Sequence, residues 1–94
     1  MMARLSEQEV AGRLKGAAGW TREGNEIRRS FSFGKFADGI RFVDRVAAAA
    51  DAMDHHPDID IRYTTITMTL STHSAGGLTA KDFDLAAKID AAAR

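Results

Sequence analysis

A chain of 94 residues, 45% apolar and 28% charged, is sized for a single domain with a modest core and lies far from disordered or collagen-like compositions. Its 13 Lys and Arg balance 13 Asp and Glu, so no net field draws it to nucleic acid or to an anionic membrane surface. The absence of cysteine excludes a disulfide framework and thiolate nucleophiles. The polar opening Met1 to Glu7 lacks the apolar core of a signal peptide, and no apolar run nears the ~20 residues that span a bilayer, so a cytoplasmic protein is expected.

In chain order, Ser6 and Glu9 have the spacing of a capping box and Leu5 and Val10 that of a hydrophobic staple, which predicts a short helix from Glu7. It carries Val10, Leu14 and Ala17 on one stripe and should end near Gly16 or Gly19 in a left-handed glycine cap. Trp20 to Glu23 and residues 26 to 33 read as two strands around a Gly24-Asn25 hairpin turn. In the second, Ile27, Phe31 and Phe33 alternate with Arg28, Ser30 and Ser32. From Phe36 the period changes. Phe36, Ile40, Val43, Ala47 and Ala50 recur at steps of four and three, with Val46 and Met53 widening the stripe, which predicts a long helix over residues 35–53. It must stop before Pro57, which disfavours helical geometry at His56.

Ile59, Ile61 and Tyr63 alternate with Asp58, Asp60 and Arg62 as a third strand. Ile66, Met68 and Leu70 alternate with threonines as a fourth, and continued alternation would put His73 on the threonine face. Gly76-Gly77 breaks the run. Thr79, with Asp82 three residues on, then looks like the N-cap of a last helix bearing Phe83, Ala86, Ile89 and Ala93. The order α-β-β-α-β-β-α implies an α+β two-layer sandwich, a four-stranded antiparallel sheet with helices packed on one face.

The three histidines, His55, His56 and His73, all fall between Asp51 and Asp82, and theirs are the only side chains whose ordinary titration lies near neutrality. Adjacent histidines point apart in an extended chain, and neither His-x-His nor His-x-x-x-His spacing occurs, so a metal site is not expected. Ser71, Thr72 and Ser74 flank His73, but no nucleophile elbow precedes them. An anion site at Gly76-Gly77 is opposed by Asp82 in the first turn of the helix. Acid-base work suits the pattern better, because two histidines held across a small cleft donate one proton and accept another at neutral pH. A plainer alternative stands beside it. His55-His56 end a helix and His73 a strand, Asp82 caps with Thr79, Asp51 is a solvated helix residue, and Trp20 and Tyr63 pack.

Asp51-x3-His55-His56-Pro57-x5-Tyr63-x9-His73-x8-Asp82 closely resembles the signature of the pterin-4a-carbinolamine dehydratases. Gly19-Trp20, Phe31-x-Phe33-x-x-Phe36 and Leu70-Ser71-Thr72-His73 followed by Gly77-Leu78-Thr79-x-x-Asp82 extend the resemblance over nearly the whole chain. It implies dehydration of 4a-hydroxytetrahydrobiopterin to quinonoid dihydropterin and water, with neither metal nor organic cofactor. His55 and His73 are the implied acid-base residues, His56 lines the pterin site and Asp82 orients a histidine or balances its charge. Asp51 acts similarly, Pro57 fixes the histidine turn, and Thr72, His73, Ser74 and Ala75 form the opposite wall. Two positions depart from the family pattern: Ile59 stands where an aromatic is usual, and Asp51 where Glu is. The resemblance further implies a homodimer or homotetramer, a small-molecule pterin as partner, and no direct nucleic-acid or membrane contact. It leaves open a non-catalytic role as a transcription-factor dimerisation cofactor or carboxylase assembly factor.

Overall fold

The structure is a computed structural model that describes residues 3–94; Met1 and Met2, which open the polar N-terminal segment, lie outside the described residues. Its elements are α1 (Glu7–Lys15), β1 (Thr21–Glu23), β2 (Glu26–Ser32), α2 (Phe36–Met53), β3 (Asp58–Arg62), β4 (Thr65–Leu70), a 3-10 turn (His73–Ala75) and α3 (Ala80–Ala92). The predicted order holds. The strands form one antiparallel four-stranded sheet in the order β1-β2-β4-β3. Among the described residues, no helix is long and apolar enough to cross a membrane.

The alternation read from β2 and β4 is the alternation of burial. Ile27 and Phe31 face Leu70 and Ile66 across the ladder and, with Met68, form the sheet side of the core. Phe42, Val46 and Ala50 of α2 and Phe83, Leu85, Ala86 and Ile89 of α3 close it from above. Each large apolar side chain buried this way contributes about 1.5–3 kcal/mol. The opposite sheet face pairs Arg28, Ser30 and Ser32 with Thr69, Thr67 and Thr65, and among the described residues it carries no helix.

Several local expectations are corrected. The buried stripe of α2 runs Gly39, Phe42, Val46, Ala50, turned from the predicted one, and leaves Phe36 48% exposed and Ala47 exposed. Because α2 is apolar over a wide arc, periodicity alone fits either stripe. α1 does end at Gly16, but with φ −92° and ψ 1°, so the cap is not left-handed; the positive φ, +89°, belongs to Gly19. Tyr63 lies outside β3. Arg62 pairs with Thr65, so Tyr63 and Thr64 form the two-residue hairpin turn, with Tyr63 at φ +50° and 75% exposed. β3 is an edge strand exposed along its whole length, and Ile59 and Ile61 are 38% and 41% exposed because the helical layer does not extend over them.

The capping box forms as expected: Ser6 Oγ accepts the Glu9 N–H at 3.1 Å and Glu9 Oε1 accepts the Ser6 N–H at 2.9 Å. The Ser6 backbone bond, then its hydroxyl, hold the Glu9 carboxyl below its ordinary range.

Gly19 anchors the junction between α1 and the sheet. Its positive φ is a conformation side chains rarely adopt, and a Cβ there would lie 2.8 Å from Arg29 Cζ. Arg29 donates to Asp90 Oδ1 at 2.9 Å, an oxygen that also receives Trp20 Nε1–H at 2.9 Å. Gly19→Ala is therefore expected to lower stability by about 1–3 kcal/mol through backbone strain and displacement of Arg29. In a thermal melt this reads as a fall of roughly 5–15 °C, and an unchanged melting temperature would contradict it.

Candidate active site

His55 owes its position to the way α2 ends. Asp54 sits in the left-handed region at φ 50°, and its N–H bonds to Asp51 O at 3.2 Å while the His55 N–H bonds to Ala50 O at 3.1 Å. That pair of bonds is a Schellman motif with Asp in the place usually held by Gly. The chain thus leaves the helix with His55 turned under α3, 9% exposed, and Pro57 leads directly into β3.

Beneath His55 lies Asp82, in the first turn of α3 and fully buried. A buried carboxylate is tolerated only when its oxygens are well supplied with donors. Here Oδ1 lies 2.6 Å from His55 Nε2, and Oδ2 accepts the Thr72 hydroxyl at 2.8 Å and the Thr79 N–H at 2.9 Å. Thr72 Oγ1 also contacts Thr79 Oγ1 at 2.8 Å, and both threonines are buried. Asp82 thus gives one oxygen to the cap of α3 and to Thr72 and the other to the ring of His55.

Thr72 carries this network to the third histidine. Burial at even positions continues past β4 to Thr72, and His73, exposed and sharing a cavity with Ser71 and Glu26, keeps to the threonine side as continued alternation predicted before the chain turns. His73, Ser74 and Ala75 form the 3-10 turn, closed by Gly76 at φ 72° and by a bridge in which the Thr72 N–H bonds to Gly77 O at 3.0 Å. Ser71 Oγ braces the turn by donating to Asn25 O at 2.8 Å. His73 is exposed and lines an open cavity of about 390 Å³ with Glu23, Glu26, Ser71 and Gly77. His55 and His56 are not part of that lining.

The structure thus brings His55 and Thr72 onto the two oxygens of Asp82, and His73 follows Thr72 by one peptide unit. His56 stands apart, its Nε2 2.9 Å from Asp51 Oδ1, in a pair whose side chains are 56% and 78% exposed. Such a pair contributes at most about 1 kcal/mol. Two contributors escaped the sequence reading. The Thr79 hydroxyl was absorbed in the capping spacing Thr79-x-x-Asp82, and Asp54 carries no glycine signal. Among the described residues, no group of three or more His, Asp or Glu is arranged to hold a metal.

Comparison with known proteins bears on this arrangement. A sequence profile of the family described as "Pterin 4 alpha carbinolamine dehydratase" matches residues 3–92. A protein of Roseiflexus castenholzii, provisionally named a pterin-4-alpha-carbinolamine dehydratase, is 57% identical over 90 residues, covering 96% of this chain and 97% of its own. One of Mycobacteroides abscessus with the same provisional name is 53% identical over 89 residues, covering 95% of each chain. Among solved structures, a transcriptional coactivator/pterin dehydratase from Brucella melitensis superimposes with a TM-score of 0.93 at 35% identity, over 97% of this chain and 99% of that one. A pterin dehydratase-like RuBisCO assembly factor of the alpha-carboxysome gives 0.65 at 27% identity, over 79% and 86%. Sequence and fold agree over nearly the full length, and the chain belongs to the pterin 4 alpha carbinolamine dehydratase family.

Proposed function

We propose that this chain, as a single dehydratase domain over residues 1–94, converts a 4a-hydroxytetrahydropterin to quinonoid dihydropterin and water. The observation that carries the reading is the buried His55–Asp82 pair, joined through Thr72 to the turn that presents His73. Hydroxide is a poor leaving group, so the 4a-oxygen is protonated as its bond to carbon breaks, and a ring N–H proton passes to a base. The sum is loss of one water with no change of oxidation state. His55 and His73 are assigned these two transfers. Asp82 holds His55 and offsets the positive charge its ring acquires. His56, with Asp51, lines the pterin side, where Pro57, Thr72, Ser74 and Ala75 complete the walls.

The test follows the ultraviolet absorbance of the carbinolamine released by an aromatic amino acid hydroxylase. The wild-type chain is expected to accelerate its decay, and His73→Ala to lose about 10²-fold or more of that acceleration. Equal acceleration by both proteins overturns the assignment of His73.

A second reading has its own observation. Phe36, Ile59 and Ile61 are large apolar side chains left more than a third exposed, on the helix side of β3 and the start of α2. Apolar surface of this kind marks contact with other protein. Self-association as a homodimer or homotetramer in the cytoplasm is the occupant we favour. A partner protein, as for the relatives described as coactivator and assembly factor, is the alternative. Sedimentation at micromolar concentration is expected to give a multiple of the 10.2 kDa chain mass. A monomer alone would argue against self-association.

A further inference from the structure

The hydrogen bonds around Asp82 admit one consistent direction, and it reaches the ring of His55. Asp82 Oδ2 receives the Thr79 N–H at 2.9 Å, and the Thr72 hydroxyl, 2.8 Å away, commits its single proton to the same oxygen. The Thr72–Thr79 hydroxyl contact of 2.8 Å must then run from Thr79 to Thr72. On the far side of the carboxylate, Oδ1 lies 2.6 Å from His55 Nε2, and because a carboxylate only accepts, the ring nitrogen is the donor.

From this we infer that Thr79 and Thr72 are positioning residues that hold Asp82, and through it His55, in the tautomer with Nε2 protonated, so that Nδ1 is the atom His55 offers to substrate. Among the described residues Nδ1 has no hydrogen-bond partner. Arg28 Nε is the sole fully buried side-chain nitrogen or oxygen there left without one, so Nδ1 keeps some exposure to solvent. The direction of the chain matters as much as its length. A carboxylate held by two fixed donors on Oδ2 cannot rotate to release Nε2, and a ring bonded at Nε2 cannot flip to present it. The role in turnover rests on the proposed dehydration; the tautomer does not.

The experiment uses the full chain labelled with ¹⁵N-histidine. Two-bond proton–nitrogen correlation spectra are recorded above the range in which free histidine titrates, with His55 assigned by its loss in His55→Gln. The expected pattern for His55 is a protonated Nε2 and a bare Nδ1. In the carbinolamine assay, Thr72→Val is expected to lower kcat about 10-fold, the worth of one hydrogen bond to a charged group, with KM changed by less than about 2-fold. Thr72→Ser, which keeps the hydroxyl, is expected to recover most of the loss. Thr79→Val should lose less than Thr72→Val, in the same direction. A wild-type His55 with its proton on Nδ1 overturns the inference, as does a Thr72→Val chain with wild-type kcat. Should Thr72→Val fail to fold, the wild-type spectrum decides on its own. The Nε2–H pattern in a chain that does not accelerate dehydration upholds the lock and overturns the proposed function. The Nδ1–H pattern in an active chain overturns the lock alone.

Discussion

Asp82→Ala is expected to lower the stability of the fold by about 3–5 kcal/mol, because it strands three buried donors, each costing about 1–3 kcal/mol when left unpaired, and the costs overlap. The donors are His55 Nε2, the Thr72 hydroxyl and the Thr79 N–H. Against a total of roughly 5–15 kcal/mol for a small domain, this is a large fraction, and a urea titration should show it as a lower midpoint at similar slope. Asp82→Asn separates the two duties of the residue. Its carboxamide keeps the shape and can still accept from Thr72 and Thr79, but it turns an N–H toward His55 Nε2 and favours the tautomer with the proton on Nδ1. It should therefore fold far better than Asp82→Ala while losing most of the proposed dehydratase activity. An Asp82→Ala chain as stable as the wild type would contradict the account of the buried network.

The second large effect falls on His55. His55→Gln keeps a side-chain N–H within reach of Asp82, so the network stays supplied and the fold is expected to be retained. A glutamine cannot take or give a proton at neutral pH, and kcat should fall by about 10²–10⁴-fold, the usual worth of one positioned acid-base group. Circular dichroism and the carbinolamine assay on the same preparation check both halves. Wild-type turnover in this variant would remove His55 from the chemistry.

These effects were only partly legible in the sequence. Alternation in β2 and β4 identified the sheet core, because a strand with one buried face must repeat every two residues. The Ser6–Glu9 capping box was readable because it is local. What depends on neighbours distant in sequence was not. The alternation of Ile59 and Ile61 states which face they share, but not that the helices stop short of it. α2 offers two apolar stripes, and only contact with the sheet and α3 selects Phe42, Val46 and Ala50. Tyr63 has a β-forming side chain, yet the register Arg62↔Thr65 assigns it to a turn.

At the site, the histidine cluster was visible as composition. Its internal wiring was not, since His55 and Asp82 meet across 27 positions and Thr72 and Asp82 across 10. Thr79 shows the limit most clearly. The same Thr-x-x-Asp spacing encodes a helix cap, and only the approach of Thr72 gives its hydroxyl a second use.

The central claim is that this site performs acid-base dehydration of a pterin carbinolamine. The most direct measurement is the first-order decay of 4a-hydroxytetrahydropterin absorbance at neutral pH, with increasing amounts of the wild-type chain and of the His55→Gln/His73→Ala double variant. The account predicts a rate that rises in proportion to wild-type concentration, while the double variant stays at the spontaneous rate. A decay unchanged by the wild-type chain, or accelerated equally by the double variant, would contradict it.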